Sequence, residues 1–301
     1  MAPLVCVILV NWNGYDDTAA CVESCFALDY NPFRLVIVDN CSADGSGARL
    51  RDRFSAEERV EVLLAERNLG FAGGNNLGIR HAIDAGAKYV WLLNNDTVVD
   101  PAALRELVSA AQEHPEAGMV GSKVYYHDRP EVLWFAGGVI KPRHDGTTFH
   151  RGMDEVDTGA YDEVAHVDYV TGCSLLTSVE VVRSIGLMAE EYFLYWEEVD
   201  WCDRARAAGY PSLYIPSSRV WHKVGGSLGT DASPTRIRYD ARNRLLFYRR
   251  NRPKDMPRVL FWLNRQIVTL ALVRGKTRHS AALLRGELDY FAGKRGPIDA
   301  G

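Results

Sequence analysis

KYVWLLNNDT (residues 88–97) is the stretch that decides how this chain folds: a β-branched and aromatic run that stops abruptly in two amides and a carboxylate, Asn94, Asn95 and Asp96. A short apolar run bounded by polar turn formers reads as a buried strand. Three earlier stretches repeat the pattern, LVCVILV (4–10), RLVIVD (34–39) and VEVLLA (60–65). Helical stretches at 16–28, 46–54, 75–86 and 101–113 follow the four runs in turn. Strand and helix alternating in this way predict an α/β fold, a mostly parallel central sheet flanked by crossover helices. Ligands on such sheets bind beyond the carboxyl ends of the strands. The residues just after each run are therefore the first candidates for function: Asn11-Trp12-Asn13-Gly14, Asp39-Asn40, Asn68 to Asn76, and Asn94-Asn95-Asp96.

Downstream the pattern loosens. Segments 117–126, 133–140 and 164–170 read as shorter strands, with the polar stretch Pro142–Asp162 as a flexible loop between them. A helix runs from about Glu197 to Ala208 and ends at Gly209, and a strand-like YPSLYIP leads into RVWH (219–222). From Ser233 onward the chain is helical and basic.

The 301 residues, 47% hydrophobic and 25% charged, exclude a disordered, collagen-like or disulfide-scaffold chain. The net charge of −4 conceals an asymmetry: Thr235–Gly301 holds 16 basic against 5 acidic residues, leaving 19 against 34 before it. The six cysteines form no CxxC pair, and most of them read as reduced, buried small hydrophobes. Leu4–Val10 has neither a basic leader nor a cleavage site and reads as a strand; Val259–Val273 is interrupted by Asn264, Arg265 and Gln266 and reads as too short to span a bilayer. The expectation is a cytoplasmic protein, peripheral on the inner face of the membrane if attached at all.

Four stretches carry chemistry. Asp96 offers a carboxylate to a hard divalent cation, which in turn can hold a diphosphate; a plain Asx-turn at a strand end is the competing explanation. RNLGFAGGNN (67–76) has three glycines in five residues ahead of a helix, which permits close approach of a ligand, although it matches neither a P-loop nor the dinucleotide fingerprint. FLYWEEVDWCDR (193–204) crowds Glu197, Glu198 and Asp200 at a helix start between Trp196 and Trp201. The helix dipole accounts for one or two of these acids. Glu197 and Glu198 together read as a site in which repulsion and burial raise one pKa toward that of a general base. His222, ahead of Gly225-Gly226, is a partner for Asp96 on one metal, against the commoner role of an ordinary packed histidine.

In this order, VILVNWNG (7–14), IVDNCSADGS (37–46), RNLGFAGGNN (67–76), LLNNDT (92–97), TGCSLL (171–176), FLYWEEVDWCDRAR (193–206) and VWHKVGGS (220–227) resemble the family 2 glycosyltransferases of GT-A fold, in particular the bacterial rhamnosyltransferase-like branch. The resemblance covers about residues 3–250. It implies inverting transfer of a sugar, rhamnose being the first candidate, from a nucleoside diphosphate sugar (dTDP- or UDP-linked) to a hydroxyl of a glycan or polyprenyl-linked acceptor in cell-envelope polysaccharide synthesis. By the same resemblance Asp39 binds the nucleobase edge, with Asn11 and Asn68 lining the nucleoside site. Gly73, Gly74 and Asn75 approach the donor, with Asn94 and Asn95 beside it. Asp96 is the last residue of the DxD motif and binds Mg2+ or Mn2+ together with His222. Glu198 stands where the family has its catalytic Asp, with Glu197 as the alternative. Gly172, Cys173, Trp196 and Asp200 lie toward the acceptor. Two departures stand out: the DxD motif reads Asn94-Asn95-Asp96, one acid short, and the base position holds Glu in place of Asp.

RIRYDARNRLLFYRRNR (236–252) carries seven arginines, and the resemblance makes it a helix that closes the site, with Arg242 or Arg244 toward the diphosphate. PRVLFWLNRQIVTLALVRGK (257–276) mixes apolar and basic residues as an interfacial helix does. Anionic lipid and a second subunit in a homodimer are the partners considered for this tail; nucleic acid is not expected, because no motif for it accompanies the charge. The division expected is a GT-A core over 1–232 and a helical extension over 233–301. The competing functions are a catalytically silent nucleotide-sugar or glycan-binding scaffold and a sugar nucleotidyltransferase; the latter wants a basic, Gly-rich turn after the first strand, which Asn11-Trp12-Asn13-Gly14 does not supply.

Overall fold

A computed structural model describes residues 2–141, 145–224 and 233–298. The four expected runs form strands β1 (Val5–Asn11), β2 (Phe33–Asp39), β3 (Val60–Leu64) and β4 (Tyr89–Leu93), joined by helices α1 (Tyr15–Cys25), α2 (Ser46–Arg53) and α3 (Gly70–Asp84). They pair in parallel in the order β3-β2-β1-β4. Strand order reverses between β1 and β4, the kind of switch point beyond whose strand ends α/β sheets form their ligand cleft. Then come the short β5 (Thr97–Val99), α4 (Ala103–Glu113), β6 (Met119–Tyr126), β7 (Leu133–Phe135), β8 (Gly138–Ile140), β9 (Thr148–His150) and β10 (Ala165–Val167). The chain continues through β11 (Ser174–Ser178), α5 (Val179–Ile185), α6 (Glu197–Ala207) and β12 (Ser212–His222).

The sheet extends past β4 as β11-β6-β12-β10. β11 runs antiparallel to both neighbours, β4 and β6, so its first residue lies at the carboxyl edge of β4, with Ser174 opposite Leu93. Sequence periodicity had no hold on this strand: SLLTS is five residues long and buried on both faces, without the polar alternation that marks a surface strand.

Alternate residues of β1 and β2 feed two cores. Val5, Val7, Leu9, Leu35 and Ile37 face α1, α2 and α4. Cys6, Ile8, Val36 and Val38 face α3, α5 and α6. Full burial of each such aliphatic side chain contributes about 1.5–3 kcal/mol. The second core does not stop at the sheet's own helices. It takes in Leu245 and Phe247 of α7 (Pro234–Asn251), Val259 and Leu263 of α8 (Met256–Val268), and Leu283 and Tyr290 of α9 (Thr277–Phe291). Packing is thus continuous across the expected 232/233 division, which itself lies outside the described residues along with Gly225 and Gly226.

The expected helix at 75–86 starts five residues earlier, at Gly70, so the glycines of RNLGFAGGNN lie within α3. Their purpose is visible in what a side chain would strike. A Cβ on Gly74 would lie 2.8 Å from Val10 Cγ1, and one on Gly78 would lie 2.5 Å from Ile8 Cγ2. The missing side chains let α3 lie flush on β1.

The expected flexible loop over Pro142–Asp162 is, in its described part, tied down. It forms β9 against β8, and Asp157 accepts from the buried Lys123 ammonium at 2.8 Å and from the Tyr125 hydroxyl at 2.6 Å. Asp162 also pairs with Lys123. A buried cation needs such partners, and this one draws them from the strap.

Replacing Gly78 by Val should lower stability by about 1–3 kcal/mol through overpacking against Ile8 and Val38. The urea midpoint should fall with the m-value unchanged.

Candidate active site

At the carboxyl ends of β1 and β2, Asn11 and Asp39 stand opposite each other in register. Asn11 Nδ2 donates to Asp39 Oδ1 at 2.7 Å and to Ser46 Oγ at 2.8 Å. Ser42 donates to the same carboxylate from its hydroxyl at 2.6 Å and from its backbone at 3.1 Å. A Cβ on Gly47 would lie 2.4 Å from Asp39 Cγ, so glycine is required there for the carboxylate to fit. On the other side, Thr18 Oγ1 donates to Asn11 Oδ1 at 2.9 Å and accepts from Asn95 Nδ2 at 2.8 Å. One chain of side-chain bonds therefore joins the ends of β2, β1 and β4. Asn68 belongs to a neighbouring knot, in which Asn40 Nδ2 donates to Asn68 Oδ1 at 3.0 Å and Asn40 Oδ1 accepts from Leu69 N at 2.8 Å. Asn75, expected toward the donor, turns back along α3 and donates to Phe71 O at 3.0 Å. Gly73 and Gly74 spend their space on Leu69 and Val10.

Asp96 and His222 meet because β5 and β12 pair with Thr97 opposite His222. His222 Nε2 lies 3.1 Å from Asp96 Oδ1 and 3.4 Å from Asn94 Nδ2. The two groups form a close ion-pair contact in which Asp96 Oδ1 and His222 Nδ1 are both buried. Burial disfavours charge on the imidazole, yet Cys173 and Asp96 outweigh it and hold the His222 pKa well above its ordinary value. Surroundings that favour a positive charge here would favour a cation equally, with the ring then neutral and ligating. The pair fits a divalent ion in donor type, one carboxylate oxygen and one imidazole nitrogen. Among the described residues no group of three or more His, Cys, Asp or Glu stands at metal-holding spacing, so a third ligand would have to come from elsewhere. Trp134 of β7 packs edge-on against the His222 ring with centroids 4.7 Å apart, and is itself flanked by His150 at 4.6 Å. No motif in the sequence pointed to either contact.

Across the cleft, α6 begins with Glu197 and Glu198. Glu197 is buried; Glu198 is partly exposed, its Cβ 3.8 Å from where a Gly172 side chain would begin. Each has a buried Oε2 that accepts no hydrogen bond. Burial raises the pKa of both, and the charge of Glu198 pushes Glu197 further, well above the usual carboxyl range. Gly172 is glycine because Phe71 occupies the space beside it, 2.9 Å from a built Cβ. Cys173 is buried, and its carbonyl accepts from Asn94 N at 3.0 Å.

Two residues expected on the acceptor side have other work. Asp200 is fully buried and accepts from Arg204 Nε at 2.8 Å, Asn251 Nδ2 at 2.7 Å and the Tyr192 hydroxyl at 3.1 Å. Trp196 is buried against Phe247 and donates to Asp240 Oδ1 at 2.9 Å. Trp201, read as a wall of the site, is fully buried and donates to Gly186 O. Acids and tryptophans at a helix start serve a cleft or a core equally well, and here the arrival of α7 places these in a core.

The approach to α6 is strained. Phe193, Tyr195 and Trp196 have φ of 65°, 67° and 78°, a conformation that costs a residue with a Cβ about 1–3 kcal/mol. Asn243 of α7 holds the bend: its Nδ2 lies 3.0 Å from Tyr192 O, 2.8 Å from Leu194 O and 2.8 Å from Tyr195 O. Arg242, expected toward a diphosphate, is buried and donates to Tyr192 O and Gly296 O instead. Arg244 is likewise buried, with Asp145 O and Asp240 as neighbours. The signal missed in the sequence was Asn243, one of two amides amid those arginines.

Residues 6–167 match the family described as glycosyl transferase family 2, more than half of the chain. Among characterised proteins the chain is 28% identical over 204 residues to the low-salt glycan biosynthesis hexosyltransferase Agl10 of Haloferax volcanii, a match that covers 66% of this chain and 61% of that protein. It is 29% identical over 221 residues to the N-acetylglucosaminyl-diphospho-decaprenol L-rhamnosyltransferase of Mycobacterium tuberculosis, covering 66% of this chain and 69% of that one. The chain thus spans about six-tenths to seven-tenths of these relatives' length. Among solved structures it resembles the mannosyltransferase PcManGT from Pyrobaculum calidifontis in complex with GDP-Man and Mn2+, with a TM-score of 0.64 at 16% identity over 98% of this chain and 88% of that one, a likeness of fold.

Asn243→Leu removes an amide shared by three carbonyls, of which Tyr192 O keeps Arg242 Nη2 and Leu194 N as donors; with an unmet buried polar group costing about 1–3 kcal/mol, denaturant titration should show a loss of at least that size.

Proposed function

The chain belongs to glycosyl transferase family 2 and has the GT-A fold, and from that premise we propose that it transfers a hexose, with rhamnose as the first candidate, from a nucleoside diphosphate to a hydroxyl of a polyprenyl-linked glycan in cell-envelope polysaccharide synthesis. The observation that carries the reading is the pairing of unlike groups at one sheet edge: the buried Asp96–His222 pair, and the Glu198 carboxylate, one buried oxygen of which accepts no hydrogen bond, beside Gly172. The substrate class is argued from the names of the relatives, a hexosyltransferase and an L-rhamnosyltransferase whose acceptor is a decaprenyl diphosphate sugar.

In this reading Asn11, Asp39 and Asn68 form the rigid floor for the nucleoside, and Asn94 and Asn95 flank the diphosphate. Asp96 and His222 would hold Mg2+ or Mn2+, with diphosphate oxygens completing the coordination. Such a cation, when bound, supplies positive charge opposite the leaving diphosphate. Glu198 accepts the proton of the acceptor hydroxyl as that oxygen attacks the anomeric carbon, and the nucleoside diphosphate departs from the opposite side. A single in-line displacement inverts the anomeric centre and needs no nucleophile from the protein. Glu198 suits the base better than Glu197, since it is partly exposed while its neighbour is buried. Burial raises its pKa, which sharpens its basicity and also fixes a cost in acid. The ionised form is the active one, so transfer should fall with pH on an acid limb displaced upward from the usual carboxyl range.

A thermal-shift screen against UDP-, GDP- and dTDP-sugars with Mn2+ or EDTA tests the donor half. One nucleotide class should stabilise the protein only with metal, and Asp96→Ala should abolish that gain; silence toward every donor overturns the reading. Glu198→Gln should lower kcat by about 10²–10⁴-fold, the range expected for a lost general base, while donor binding stays intact. Should Glu197→Gln have that effect in its place, the base is Glu197. A Glu198→Gln protein with full transfer activity would remove both the base and the acid limb.

A further inference from the structure

The helical hairpin of α8 and α9 ends in an apolar tip that no described residue covers. Leu272 and Val273 are 80% and 78% exposed, and Val268, one turn back on α8, is 54% exposed. The tip is held firmly from within. Ser280 Oγ donates to Ile267 O at 2.8 Å, Lys276 N to Leu270 O at 2.8 Å, and Asn264 Nδ2 to Glu287 Oε1 at 2.9 Å. Leu263 and Leu283 root the two helices in the core. Two leucine- and valine-bearing positions held four-fifths in water, at the end of a braced hairpin, demand an occupant more strongly than scattered surface apolar residues do.

Charge identifies it. Between Met256 and Gly286 the chain carries Arg258, Arg265, Arg274, Lys276, Arg278 and Arg285 and no carboxylate. Arg274, Lys276 and Arg278 are exposed and follow the tip directly. A second copy meeting this face in a two-fold contact would set the cationic patch against itself, a repulsive arrangement. An anionic bilayer fits both halves of the pattern: apolar side chains enter the boundary of the acyl chains, and the cations remain among the headgroups. No helix among the described residues is long and apolar enough to cross a membrane, so the contact is with the surface.

The geometry points to the 268–278 tip as a docking spike for an anionic lipid surface, with Leu272 and Val273 inserted and Arg274, Lys276 and Arg278 on the headgroups. The inference deepens the proposed function by giving the enzyme a way to meet a lipid-linked acceptor. Its readout is flotation and involves no transfer, so the two readings fail separately.

The full chain should float with vesicles of phosphatidylcholine mixed with phosphatidylglycerol and remain behind with phosphatidylcholine alone, and added salt should weaken flotation. Each basic residue contributes about a fivefold gain in binding, so neutralising Arg274, Lys276 and Arg278 together to Gln should reduce it by about a hundredfold. Leu272→Ser with Val273→Ser should also release the protein from anionic vesicles. In both variants an unchanged urea midpoint verifies the fold. Equal flotation with either vesicle, no flotation with any, or variants that float like the parent overturn the inference. A concentration-dependent dimer broken by the Leu272 and Val273 changes would assign the face to a second copy instead.

Discussion

One side-chain amide, that of Asn243, holds together parts of the chain that local sequence would not keep in place. Three residues with left-handed backbone lie within four positions ahead of α6, and no glycine relieves them. Alone, that segment would relax and α6 would start elsewhere. Asn243 gathers the carbonyls of Tyr192, Leu194 and Tyr195 onto one amide, and the bend becomes the only arrangement that satisfies all of them. The adjacent Arg242 repeats the grip at Tyr192, and Asn251 and Arg204 close on Asp200 from two helices. The C-terminal helices are therefore structural members of the site: they determine where Glu197 and Glu198 stand.

The two sides of the cleft differ in how far the sequence reveals them. β1 to β4 could be read because each is a run of apolar residues ended by polar ones, and the register of Asn11 with Asp39 follows from parallel pairing. Asp96 and His222 were also legible as chemistry, although only the pairing of β5 with β12 explains their meeting. The rest depended on tertiary packing. The glycines of α3 looked like room for a ligand and proved to be room for a strand. Asp200 and Trp196 were placed toward the acceptor by resemblance, and a core that supplies Arg204, Asn251 and Asp240 gives both of them partners inside it. Asn243, whose role is to bind carbonyls fifty residues away, leaves no periodic trace at all.

The asymmetry of charge also acquires a structural meaning. The basic C-terminal segment includes buried arginines that bind carbonyls and carboxylates, Arg242 and Arg244, and exposed cations, those around the hairpin tip among them. Composition counted both alike. Only the second group projects a field into solvent, and it is concentrated at the end farthest along the chain from the acidic strand-end residues.

The flush contact of α3 on β1 has a mechanical consequence. With Gly74 against Val10 and Gly78 against Ile8, helix and strand touch through backbone and side-chain base, leaving no layer of long side chains to act as a soft bearing. Such a pair cannot roll or slide by changing rotamers. The wall of the cleft formed by Gly70 and Phe71 is consequently stiff, and Phe71 N is pinned to Phe193 O at 2.8 Å as well. A cleft with one unyielding wall can open and close only by displacement of the elements that face it.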